Sequence, residues 1–272
     1  MTIGEICAKG IITKSNLPAS DFVINPYVGC SHACVYCYAR FMKRFSGHAE
    51  SWGCFVDAKI NAPLLIPERS SKYAGKSVFL SSVTDPYLPL EKSYRLTRDI
   101  LQRLIPLKPA LGILTKSALV VRDIDLLLQF ERCDVGITIT GLDEALRKKI
   151  EPGTSSVTQK IDALKELKKA GLRTYVFIGP ILPFLTDWKA IIEATKEYAD
   201  EYLFENLNMH GSIASDIHSF LNAHYPSLSE RYREIYSPAG GYWQVEEQNI
   251  AAYCQKAGIA HRIYFHHRSK AK

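Results

Sequence analysis

The sequence predicts an α/β protein, either a barrel or an open doubly wound sheet, in a chain of 272 residues. Three observations predict it. Short apolar runs alternate with stretches of helical periodicity, the order that gives right-handed strand–helix–strand crossovers. Several runs are continuously apolar, as in strands buried on both faces of a parallel sheet. The runs also end on polar residues, where such folds assemble their sites. The length suits one barrel-type domain of ~250 residues. At 47% hydrophobic and 23% charged, the chain is neither disordered, collagen-like nor a coiled coil.

The expected strands, in order, are residues 22–28, 77–82, 111–115, 134–140, 174–178 and 202–207. Gly29 and Cys30 close the first. Ser82, Thr84 and Asp85 close the second, and Thr115, Lys116 and Ser117 the third. Thr138 and Thr140 close the fourth, and Glu205, Asn206, Asn208 and His210 the sixth. Between them, Val157, Ile161, Leu164 and Leu167 recur at helical spacing. Ser156 and Gln159 form a capping box at the start, and Gly171 stops the helix. Ile124, Leu127 and Leu128 mark the helix after the third strand, and Ile191, Ile192 and Thr195 the helix after the fifth. The organisation predicted is a barrel over 1–210, with its cysteine loop at 30–37, and a C-terminal extension over 211–272. The extension is rich in tyrosine, with a helix over 244–256 and a last strand over 259–265. Sixty residues would be marginal alone, so it is expected to pack on the barrel.

The net charge of +6 is uneven. Residues 261–272 hold Arg262, Arg268, Lys270, Lys272 and no acid, hence +4, leaving +2 for the rest. A basic tail of this kind, with aromatic residues before it, is one basis for expecting a nucleic-acid partner. The N-terminal residues lack the apolar core of a signal peptide, and no apolar run reaches the ~18 residues of a membrane span. The expected location is the cytoplasm, with no membrane partner.

The unusual feature is seven cysteines. An odd count in a chain of this size argues against a secreted disulfide framework. Cys30, Cys34 and Cys37 have the spacing C-x3-C-x2-C. Three thiolates on one loop can hold three irons of a cubane and leave the fourth iron open for a substrate. Zinc is the alternative; it wants four ligands, and His32 or His48 would complete Cys3His, although there is no second C-x2-C pair. Cys7, Cys54, Cys133 and Cys254 are too scattered for a second local cluster.

With the loop placed after the first strand and Tyr36 just before its third cysteine, the chain resembles the radical S-adenosylmethionine (radical SAM) superfamily. Within it, the spore photoproduct lyase-like branch is the nearest in pattern. The residues carrying that likeness are Asn25, Pro26, Tyr27, Gly29 and Cys30; Cys37, Tyr38, Ala39 and Arg40; and Thr84, Asp85, Pro86, Tyr87 and Glu91. Thr115, Lys116, Ser117, Leu142, Asp143, Glu144, Leu146, Arg147, Glu151, Pro152 and Gly153 complete it. The resemblance implies a partial (β/α)6 TIM-type barrel with a C-terminal extension. It implies a [4Fe-4S] cluster on Cys30, Cys34 and Cys37 whose open iron chelates SAM. One electron, from a reductase or a flavodoxin- or ferredoxin-type donor, then yields methionine and a 5′-deoxyadenosyl radical that abstracts hydrogen from a substrate.

It further implies that Thr84 and Asp85 contact the methionine end of SAM, that Lys116 meets its carboxylate, and that Tyr36 packs on the adenine. Tyr38 follows the third cysteine, where the family can use a tyrosine in radical transfer. Thr138 and Thr140 offer hydroxyls to the ribose or the carboxylate, or serve only as β-formers. Glu205, Asn206 and Asn208 are where substrate contacts are expected. Arg147 and Glu151 are expected to pair on a helix surface. One departure concerns the substrate: the thymine-repairing lyase keeps a hydrogen-donating cysteine at the end of the second strand, where this chain has Ser81, Ser82 and Val83. The substrate classes left open are nucleic acid and a peptide or small metabolite. A non-catalytic metal or iron–sulfur protein is the reading from another class.

Overall fold

The structure is a computed structural model that describes residues 1–266 apart from 19, 238 and 239. The part of the predicted basic tail over 267–272 lies outside the described residues. In chain order the strands are β1 (Thr2–Ile6), β2 (Ile12–Lys14), β3 (Phe22–Ile24), β4 (Tyr27–Gly29), β5 (Phe55–Lys59), β6 (Ser77–Leu80), β7 (Ala110–Thr115), β8 (Arg132–Thr138), β9 (Arg173–Ile181), β10 (Glu201–Asn206) and β11 (His261–Ile263). The helices are α1 (Glu91–Tyr94), α2 (Leu96–Leu104), α3 (Ile124–Leu127), α4 (Glu144–Ile150), α5 (Val157–Lys169), α6 (Trp188–Thr195), α7 (Ser212–His224), α8 (Ser229–Ile235) and α9 (Tyr242–Ala257).

Eight strands form one sheet in the order β11-β10-β9-β8-β7-β6-β3-β2. Every pairing is parallel except β2 with β3. The sheet is open, as a partial barrel would be, and strands β6 to β10 follow one another in space as in sequence. Their C-terminal ends therefore lie along one edge of the fold, with the polar residues picked out from the sequence gathered there.

The expected first strand divides in two. Pro26 has no amide hydrogen and biases Asn25 away from helix, so the ladder cannot run through them. Its halves go to different sheets: β3 pairs with β6, and β4 pairs antiparallel with β5, which in turn pairs with β1. The sequence reading missed this three-stranded sheet. The last expected strand shortens to β11, parallel to β10. α5 starts as predicted: the Gln159 amide donates to Ser156 Oγ at 3.2 Å, and the Ser156 amide donates to Gln159 Oε1 at 2.9 Å.

One apolar cluster fills the space between sheet and helices. It includes Leu80, Ile113, Val135, Val176 and Phe204 from strands and Ile100, Leu164 and Ile191 from helices. Ile217, Tyr232, Trp243 and Ile250 from the C-terminal helices belong to the same cluster. No described helix is long and apolar enough to cross a membrane.

A buried polar network ties the segment before the cysteine loop to the segment after β6. Asn25 Oδ1 accepts from the amides of Ser82 at 2.9 Å and Val83 at 3.1 Å. Tyr27 donates its hydroxyl to Glu91, which has no exposed surface. Glu91 also accepts from the Thr97 amide at 3.1 Å and from Arg122 at 2.8 Å. Burial pushes the Glu91 carboxyl up, and the donors around it pull it part of the way back. Tyr27→Phe leaves that carboxylate one donor short. It is expected to cost about 1–3 kcal/mol in urea unfolding with an unchanged m-value.

Candidate cluster and cofactor site

The cysteine loop is shaped from both sides. At its entry Gly29 has φ +84°, and a Cβ there would stand 2.4 Å from the Phe55 carbonyl oxygen, so only glycine fits. On the other side, the turn after α4 presses against it. The Val35 amide donates to the Ile150 carbonyl at 2.9 Å and the Gly153 amide to the His32 carbonyl at 3.1 Å. A Cβ on Gly153 would lie 2.1 Å from the Ser31 carbonyl oxygen. This explains why glycine stands in the 151–153 string. Arg40 closes the loop by donating to the carbonyls of Cys37 at 3.0 Å and Val35 at 2.5 Å. It also pairs with Asp216 on α7.

Cys30 and Cys34 are buried, Cys37 is half-buried, and all three are free thiols. Burial pushes the Cys30 thiol well up, and its two neighbours Cys37 and Cys34 push it further. Burial likewise raises Cys34 to about 12, against the pull of Lys116. The thiols thus sit within one another's fields. Among the described residues, no three His, Cys, Asp or Glu side chains are gathered as the ligands of one metal ion would be. A cubane makes a different demand, because each thiolate meets its own iron.

Of the residues at the strand ends, Asp85 is buried and uses both oxygens within the fold. Oδ1 accepts from Thr115 Oγ1 at 2.6 Å and the Tyr87 amide at 2.8 Å; Oδ2 accepts from the Lys116 amide at 2.8 Å and lies 3.4 Å from His32 Nδ1. Thr84 donates to the Gly29 carbonyl at 2.6 Å. Both residues therefore fasten the cysteine loop to the ends of β6 and β7.

Lys116 behaves differently. Its ammonium lies 5.8 Å from the Tyr36 ring centre and makes no hydrogen bond or ion pair among the described residues. Burial alone would lower its pKa, but Cys34, Glu151 and Asp85 outweigh that and raise it, so the group stays charged. Thr138 Oγ1 is buried and has no hydrogen-bond partner among the described residues. An unpaired cation within the fields of the Cys34 and Cys37 thiols, and an orphaned hydroxyl at the end of the neighbouring strand β8, fit a cofactor that brings a carboxylate and further polar groups.

Tyr36 is held from behind. Its hydroxyl donates to Glu151 and lies 3.3 Å from Thr140 Oγ1, which itself donates to Glu151 at 2.7 Å. Glu151 pairs with Lys160 at 2.8 Å, and each is 1% exposed. Although burial disfavours its charge, Lys160 and Lys116 hold the Glu151 carboxyl below the usual range. This corrects the expected surface pairing of Arg147 with Glu151. Arg147 instead donates to the Glu151 main-chain carbonyl at 2.9 Å, and the Glu151 side chain points inward. Lys160 was missed, although its place on the apolar face of α5, between Val157 and Leu164, was a readable signal.

The remaining candidates divide. Tyr38 donates its hydroxyl to the Ser82 carbonyl, at the end of β6, while much of its ring stays exposed. Burial of the hydroxyl, with Cys37 and Glu205 nearby, raises its pKa to about 12. Glu205 lies 3.2 Å from His266 Nε2, and Asn206 accepts from the His266 amide at 2.8 Å. These two hold the segment after β11 against the sheet. Asn208 is half-buried in the connection between β10 and α7. Both ring nitrogens of His48 face carboxylates, 3.2 Å from Glu50 and 3.0 Å from Asp57.

Fold and site together define an α/β protein with three thiols on the loop after β4 and, at the C-terminal ends of the parallel strands β7 and β8, a cation and a buried hydroxyl without partners among the described residues. The radical SAM superfamily profile matches residues 24–195, and the chain belongs to that superfamily. Members of the superfamily use SAM and an iron–sulfur cluster. An uncharacterized protein of Methanocaldococcus jannaschii is 43% identical over 226 residues, 83% of this chain and 85% of its own. The radical SAM Nα-GlyT isomerase of Pseudomonas phage M6 is 25% identical over 218 residues, 78% of this chain and 42% of its own. Spore photoproduct lyase complexed with a dinucleoside spore photoproduct superposes with a TM-score of 0.67 at 15% identity, covering 97% of this chain and 82% of the lyase. A variant of it with bound AdoMet gives 0.65 at 16% identity, covering 97% and 81%. At such identities the likeness is one of fold.

Lys160→Met strands a buried carboxylate and is expected to cost about 3–5 kcal/mol in thermal or urea unfolding. The double variant Glu151→Gln/Lys160→Met removes both charges and is expected to recover most of that loss.

Proposed function

We propose that this chain is a radical SAM enzyme that holds a [4Fe-4S] cluster on Cys30, Cys34 and Cys37 and binds SAM against Lys116, Thr138 and Tyr36. The observation that carries the reading is the unpaired Lys116 ammonium within the fields of the Cys34 and Cys37 thiols. Bound there, the cluster supplies the electron that cleaves SAM to methionine and a deoxyadenosyl radical, which takes hydrogen from the substrate. Lys116 receives the SAM carboxylate, and Thr138 gives a hydrogen bond that the protein alone leaves unmade. Tyr36, fixed by Glu151 and Thr140, lines the adenine side. Asp85 and Thr84 act by holding the loop in place. Residues 1–210 form the partial barrel, and the extension supports it, with Asp216 reaching the loop through Arg40.

The zinc reading has less support. Both ring nitrogens of His48 face carboxylates, and Nδ1 of His32 faces Asp85. For the substrate, nucleic acid or one of its constituents is the class we favour, because the superposed lyase carries a dinucleoside. The case from charge is narrower than the sequence suggested. Arg262 is already paired with Glu201 at 2.6 Å, so one of the four tail charges is spent within the fold. Ser81 donates to the Ile24 carbonyl at 3.3 Å, and Ser82 accepts a bond from Asn25 at 3.4 Å. No thiol stands there, so any hydrogen returned to the product would come from elsewhere.

Anaerobic reconstitution tests the reading. The expected product is a brown protein with ~4 irons that cleaves SAM when reduced with dithionite. Alanine at Cys30, Cys34 or Cys37 is expected to abolish both properties, and alanine at Cys133 to leave them. A colourless protein binding a single zinc would overturn the assignment. Thr138→Val offers a second check. It removes a buried hydroxyl that has no partner, so stability should hold or rise by up to about 1 kcal/mol, while the SAM Kd measured by calorimetry should rise.

A further inference from the structure

The 3-10 helix Tyr38–Phe45 begins immediately after Cys37 and contains no acid. Its period of three puts Tyr38, Phe41 and Arg44 in line on one face, with Phe45 beside them. Tyr38 is 55%, Phe41 45% and Phe45 67% exposed. Among the described residues, the only other aromatic residue with a large exposed side chain, Phe184, lies under Arg231 at 3.5 Å. Here the aromatic face is open, and its cation is part of it: the Arg44 guanidinium lies 4.6 Å from the Phe45 ring centre and 5.7 Å from that of Phe41. Among the described residues Arg44 forms no ion pair, and the Lys43 ammonium next to it donates to the Ala49 carbonyl and meets no carboxylate. Clustered exposed aromatics on a soluble surface mark a contact site.

Its position says what the contact is for. Cys30 and Cys34 are buried, and Cys37 alone of the three is half-exposed. The helix that carries the patch follows Cys37 by one peptide bond, and Phe41 stands four residues after Cys37. We propose that the face formed by Phe41, Arg44 and Phe45 is the docking surface for an acidic one-electron carrier protein, which delivers the electron at the Cys37 edge. This rests on the radical SAM reading above. Arg44 and Lys43, cations with no acidic partner among the described residues, beside an apolar centre suit the small, weak, charge-guided encounters of electron-transfer partners. A nucleic-acid backbone would call for more cations than the patch offers. In the encounter the reduced carrier gives up one electron and leaves oxidised by one electron, with no bond formed or broken.

The test uses reconstituted holoenzyme with photoreduced flavodoxin as the probe, in wild type and in Phe41→Ser/Phe45→Ser and Arg44→Glu variants. Both variants are expected to bind flavodoxin and to be reduced by it about tenfold more weakly. Reduction by dithionite and dithionite-driven SAM cleavage should be unchanged in both. Wild-type affinity for flavodoxin should fall as salt is raised, and that dependence should flatten in Arg44→Glu. Equal flavodoxin binding and reduction in all three proteins overturns the docking surface while leaving the enzyme reading intact. Loss of binding to a labelled single-stranded oligonucleotide with flavodoxin binding preserved also overturns it. Failure of dithionite to drive SAM cleavage in wild type overturns the enzyme reading instead, and carrier affinity then still reports on the surface.

Discussion

Asp85 accepts hydrogen bonds from Thr115 Oγ1 and from the amides of Tyr87 and Lys116, and it faces His32. A single buried carboxylate thereby sets three things relative to one another: the segment after β6, the end of β7 and the middle of the cysteine loop. Donors on three sides satisfy both of its oxygens, where a buried carboxylate without partners would be costly. Lys116 owes its place to this carboxylate, since the bond is to its main chain and leaves the ammonium free. The sequence distinguishes Asp85 and Lys116 only as polar residues at strand ends. The structure separates them into an anchor and a group with capacity to spare.

A second support lies behind the first. Glu151 takes bonds from Tyr36, Thr140 and Lys160, and the turn that carries it presses on Ser31 and His32. The loop is thus gripped between the β6 and β7 ends on one side and the α4–α5 turn on the other. Both grips use buried charge, which earns little net stability yet makes misplacement expensive. That is the economy expected where thiols must be held at fixed separations for a cluster.

Much of this was legible in the sequence, and the failures have physical causes. Continuous apolar runs located five of the strands to within a few residues, because burial on both faces leaves no polar interruption. The run over 22–28 misled because its apolar residues serve two sheets, and Pro26 was read as part of a strand when it was the break. β1 escaped because its exposed, mixed residues carry no burial pattern. At the site, spacing alone singled out Cys30, Cys34 and Cys37. Tyr27 and Glu91 were legible only as parts of a family pattern, and their reason is a hydrogen bond spanning 64 residues of sequence. Glu151 was misjudged as a surface partner, since nothing in a local window says that a charge faces inward. Its true partner, Lys160, carried the clue, as a charge on the apolar side of an otherwise regular helix.

Lys160 also acts as a key. Repeated strand–helix units are geometrically alike, and an amphipathic helix held only by apolar contacts tolerates small rotations about its axis. α5 has no such freedom: a slip of one residue, about 100°, would carry the ammonium out of its slot and leave Glu151 alone in the interior. The helix is indexed by one tooth to the carboxylate of the α4–α5 turn, whose other oxygen holds the Tyr36 hydroxyl.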